Sequence, residues 1–70
     1  MYARTLRKAT QIRRFTITNH SRSGWEVRDE QDARILRTRQ YHDWHRVERA
    51  KLAFSVEAAD LRDAGWDDSV

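Results

Sequence analysis

Arginine carries the most explicit chemistry in this sequence. Twelve of the fourteen basic residues are Arg rather than Lys. A guanidinium fork grips phosphate, or the edge of a guanine, through two parallel hydrogen bonds, which the point charge of Lys cannot do. Arg14, Arg28, Arg37 and Arg39 fall in segments of alternating character, where every second side chain projects to the same side. Several cations held in correlated positions are what phosphate binding requires. Arg4, Arg7 and Lys8 precede them in a stretch from residue 1 to 25 that has no acid. Residues 26–70 hold eight bases and all eleven acids, so a net charge of +3 conceals a basic front on a mildly acidic body.

Other reactive side chains are not arranged for catalysis or metal binding. His42 and His45 are three apart, but His20 is the one further imidazole, and two or three scattered histidines do not make a ligand set. Cysteine is absent, which removes thiolate sites and disulfides and fits a reducing cytoplasm. The serines have no glycine elbow, and no glycine-rich phosphate loop exists. Glu48 and Glu57 are more than two helical turns apart and cannot work as a carboxylate pair. The expectation is a non-enzyme with no cofactor, no metal and no evident small-molecule substrate. No apolar run reaches membrane-spanning length, so a soluble chain is expected.

The elements that must position the arginines can be read from periodicity. Asp43 to Ala64 is a helix whose Val47, Phe54, Ala58 and Leu61 share one face, with Trp44 and Ala50 at its margins. Asp43 suits the N-cap, and Gly65 suits a left-handed C-terminal closure that folds Trp66 back on Leu61. Arg13–Asn19 alternates as a strand with Phe15 and Ile17 inward, and Trp25–Asp29 as a second with Trp25 and Val27 inward. Ala33–Gln40 is a third, in which adjacent Ile35 and Leu36 cannot both face the core. If Leu36 is inward, Arg37 and Arg39 join Arg14 and Arg28 on the open face; if Ile35 is inward, that face gains Arg34 instead. The fold expected is α+β: a three-stranded antiparallel meander covered on one face by one long C-terminal helix. Residues 1–12 are expected as a basic arm, 13–66 as the single domain and 67–70 as an acidic tail.

Leu52, Val56 and Ala59 form a second apolar strip on the helix, away from the Phe54 side. It could be scattered surface residues or a contact with another chain, including a second copy. Asp60, Asp63, Asp67 and Asp68 crowd the C-terminal end, where negative charge opposes the helix dipole.

Three strands, the stretch Gly24-Trp25-x-Val27-Arg28, a basic third strand and a following amphipathic helix resemble the AP2-type arm-binding domains of phage integrases. The resemblance covers about residues 13–62 and implies a sheet laid in the major groove of DNA, with Arg14, Arg28, Arg37 and Arg39 at the contact. The acidic turn Asp29-Glu30-Gln31-Asp32 and the helix start Tyr41-His42-Asp43-Trp44-His45 depart from that pattern. The function expected is a small accessory protein that binds nucleic acid through this face, with Arg4, Arg7 and Lys8 adding non-specific affinity. The alternative is a protein-interaction module or homodimer using Leu52, Val56 and Ala59.

Overall fold

A computed structural model describes residues 2–69. The order is β1 (Tyr2–Lys8), β2 (Gln11–Asn19), a single 3-10 turn (Ser21–Ser23), β3 (Trp25–Gln31), β4 (Arg34–Tyr41), α1 (Trp44–Asp63) and β5 (Asp67–Ser69). The strands form one antiparallel sheet in the order β4-β3-β2-β1-β5, and α1 lies across one face of it. The architecture is α+β as expected, with five strands rather than three.

Both additional strands come from segments expected to be flanks. Tyr2–Lys8 pairs with β2 through the two-residue turn Ala9-Thr10, so these residues of the expected arm are sheet. Asp67–Ser69 of the expected acidic tail pairs with β1. Met1 and Val70, the outer ends of those two segments, lie outside the described residues. The period-two signal of β1 is masked by charge on its inner positions: Tyr2 and Leu6 alternate there with Arg4 and Lys8. Those two are tolerated because Arg4 donates to Asp68 at 2.9 Å and the Lys8 ammonium to the carbonyl of Ala64 at 2.9 Å. Lys8 thereby places a cation on the C-terminus of α1, where the dipole favours one.

The core consists of Leu6, Phe15, Ile17 and Val27 from the sheet with Val47, Phe54 and Ala58 from α1 and Trp66 after it. Phe15 and Phe54 meet with ring centroids 4.8 Å apart. No residue of β4 is buried in this core. Ile35 and Leu36 are both exposed, at 55% and 49%, so neither is the inward residue. The register explains it: β3 and β4 pair with an irregularity between Asp29 and Glu30, where Arg37 faces Asp29 and Ile35 faces Glu30. Leu36 is the extra residue of a bulge. Trp44 is likewise half exposed rather than core, its ring 5.3 Å from Trp25 and its indole N–H donating to Glu48.

The ends of α1 follow the sequence closely. Asp43 accepts the His45 amide at 3.0 Å as N-cap. At the other end Gly65 takes φ 101°, with the Trp66 amide donating to Leu61 and the Gly65 amide to Arg62, the paired bonds of a Schellman closure. Twenty residues of helix span about 30 Å. Five strands span about 19 Å side to side, and α1 packs against β4, β3, β2 and β1.

The β3–β4 turn is strained. Asp32 and Ala33 both have positive φ, at 53° and 66°, in a two-residue hairpin that ordinarily carries glycine or asparagine. Asp32 is fixed there by reciprocal 2.8 Å hydrogen bonds with the backbone of Ile12. Ala33→Gly is expected to raise stability by about 0.5–1 kcal/mol, read from the urea midpoint. In the same assay Leu6→Ala should cost about 3 kcal/mol, because its side chain is fully buried. An arm outside the fold would show no loss at that position.

Candidate nucleic-acid interface

The registers sort every arginine of the sheet onto one of two faces. On the open face, away from α1, one row across the sheet is Thr5, Arg14, Glu30 and Ile35, and the next is Ala3, Thr16, Arg28 and Thr38. Thr18, Glu26 and Gln40 make a third row, and Arg7 sits beside Ile12 at the far end. On the helix side the rows are Tyr2, Ile17, Val27 and Arg39, then Arg4, Phe15, Asp29 and Arg37. Arg14 and Arg28 are therefore together on the open face as expected. Arg37 and Arg39 are not with them: the bulge turns both to the helix side, and Arg34, opposite Gln31, goes there too. Of the N-terminal bases, Arg7 joins the open face, whereas Arg4 and Lys8 are directed to the helix side and engaged as described above.

On the helix side the chemistry is an ion cluster. Asp29 is 1% exposed and accepts two hydrogen bonds from Arg13, each 2.8 Å, and two from Arg37, at 2.8 and 3.3 Å. Arg13 and Arg37 also reach Glu57 on α1, at 3.3 and 3.1 Å. Two guanidinium groups and two carboxylates close on one another, so Arg37 is committed to the fold. Burial alone would push the Asp29 carboxyl up, but hydrogen bonds from Arg13 and then Arg37 outweigh it and hold it below the usual carboxylate range. The same bonds raise Arg13 and Arg37 above the ordinary arginine value.

Arg13 was not singled out in the sequence, although the signal was there. Alternation with Phe15 and Ile17 places it inward, and the same rule carries Asp29 inward after Trp25 and Val27. An inward base and an inward acid on paired strands are each other's natural partner. Beside this cluster, where β4 is not covered, α1 leaves a cleft of about 220 Å³ lined by Val27, Arg39, Tyr41, Ala50 and Phe54. Arg39 there donates to the Thr38 carbonyl and pairs with no acid among the described residues.

Charge on the open face is arranged differently. Arg28 lies between Glu26 and Glu30, at 3.1 and 3.6 Å, and is partly neutralised. Arg7 and Arg14 are exposed and make no ion pair among the described residues. Four threonines and Gln40 provide neutral donors around them. No group of three or more metal-ligating side chains is found among the described residues, and no helix is long and apolar enough to cross a membrane. No protein-family model, curated protein or solved structure matches this chain.

The ion cluster has a pH signature. The folded Asp29 carboxyl titrates below its unfolded value of about 3.9. Its stabilisation is thus complete above that value and disappears as pH falls through the depressed one. Asp29→Asn should cost about 3 kcal/mol at neutral pH, because Arg13 and Arg37 are left to share the one carboxylate of Glu57 beside the core. The urea midpoint of Asp29→Asn should also fall less than that of the parent chain as pH drops below about 4.

Proposed function

We propose that the chain is a non-catalytic nucleic-acid-binding module whose open sheet face follows a phosphate backbone. The carrying observation is the row structure of that face, which sets Arg14 and Arg28 in adjacent rows with Arg7 beyond them, among Thr5, Thr16, Thr18, Thr38 and Gln40. Arginine supplies the charge-assisted contacts and the hydroxyl and amide groups the neutral ones, which is the usual division at phosphates. Arg39 lies on the helix side at the sheet edge and is not counted as a contact. Arg4, Lys8 and Arg37 are occupied within the fold and are not counted as contacts.

The width of the sheet bears on the form of nucleic acid. A major groove is about 12 Å wide, and a flat face of about 19 Å does not enter it. The open face suits a single strand, or the outside of a backbone, better than the insertion that the resemblance implies.

Fluorescence anisotropy of a labelled mixed-sequence single strand tests this. Affinity should fall with salt on a log–log slope near −2, about −0.7 for each of the three contacts. Arg14→Ala should flatten the slope by about 0.7, while Arg39→Ala leaves it unchanged. Absence of binding at low salt, or an Arg14→Ala slope equal to the parent's, removes the reading.

A further inference from the structure

Helix α1 has two apolar faces, and the sheet covers only one. Leu52 and Val56 on the far side are 66% and 56% exposed. The outward positions His45, Arg49, Leu52, Val56, Ala59 and Asp63 recur at alternating intervals of four and three residues. That is the a/d seam of a heptad repeat, set directly opposite the buried Val47, Phe54 and Ala58. Arg46, Ala53 and Asp60 flank the seam on one side, and Glu48, Ser55 and Arg62 on the other.

We propose that this seam is the interface of an antiparallel homodimer, α1 of one copy lying along α1 of a second. That direction sets unlike charges against one another. With the axis near the middle of the helix, Leu52 meets Val56 of the second copy and His45 meets Asp63. One flank then places Arg46 against Asp60, and the other Glu48 against Arg62, which within their own chain also meet the Trp44 indole and Asp68. The small side chains of Ala53 and Ser55 fall at the axis, where the helices approach most closely. A parallel pair would stack Arg49 on Arg49 and Asp63 on Asp63.

The charge layout of α1 supports the same partner. Apart from Glu48 and Arg62, its bases gather towards the N-terminal end and its acids towards the C-terminal end, where the helix dipole opposes them. Neither Arg46 nor Asp60 has an ion-pair partner among the described residues. A second helix running the other way supplies both. The seam is short, so the association is weak and concentration-dependent. It leaves the open sheet face of each copy uncovered and stands independently of the nucleic-acid reading.

Sedimentation equilibrium of the purified chain, free of nucleic acid, from micromolar to millimolar concentration decides it. The mass should rise towards two chains, and Val56→Glu should stay at one throughout. Arg46→Glu and Asp60→Arg should each weaken association about tenfold, since each change acts at two symmetric places. The dilute single variants should melt no lower than the parent, because each substitution now suits the dipole. The double variant should regain the parent's association. A one-chain mass at millimolar concentration, a dimer surviving Val56→Glu, or a double variant no tighter than the singles would overturn the proposal.

Discussion

Asp29 is the residue on which the arrangement of this sheet turns. A carboxylate 1% exposed is stable only if its lone pairs are met, and Arg13 and Arg37 meet them from the strands on either side. Glu57 then ties both guanidinium groups to the helix. Three strands and α1 are thereby fixed by one neutral cluster. A slip of one residue in either strand pairing would put Asp29 opposite outward side chains and leave a guanidinium inside without a partner. An apolar cluster of the same volume would hold the layers together, but would not choose the register so strictly.

The cluster also accounts for the bulge in β4. Without an extra residue, the alternation that brings Arg39 opposite Val27 would carry on unbroken past Asp29 towards the hairpin. With it, Arg37 remains on Asp29 while Ile35 returns to the open face opposite Glu30. The bulge is local in the chain but belongs to a cluster that also draws on side chains outside the hairpin, Arg13 and Glu57.

That dependence determines what the sequence could reveal. The body and both ends of α1 were legible because cap, apolar face and closure are all local: Asp43, Phe54 and Gly65 each act within a turn or two. Strands β2 and β3 were legible because Phe15, Ile17, Trp25 and Val27 alternate cleanly. The face chosen by Arg37 and Arg39 was not, because a single bulge residue inverts it and nothing near Leu36 announces one. Strand β1 was hidden by Arg4 and Lys8 at inward positions, whose partners Asp68 and Ala64 lie at the opposite end of the chain. Strand β5 has almost no strand character. Its three residues are placed by Trp66, which is buried just before them, and by the free edge of β1.

A count of bases is therefore a poor guide to the surface of such a chain. Of the seven basic residues expected at nucleic acid, Arg4, Lys8 and Arg37 are spent on Asp68, Ala64 and Asp29, and Arg28 is shared between two glutamates. What distinguishes the remainder is the absence of an ion-pair partner among the described residues, and that property is set by register rather than composition. The same criterion separates the charges of α1. Glu57 is consumed by the sheet, while Arg46 and Asp60 pair with none of the described residues. Charges that fold a protein find their counterparts within it, whereas Arg7, Arg14, Arg46 and Asp60 have no ion-pair partner among the described residues.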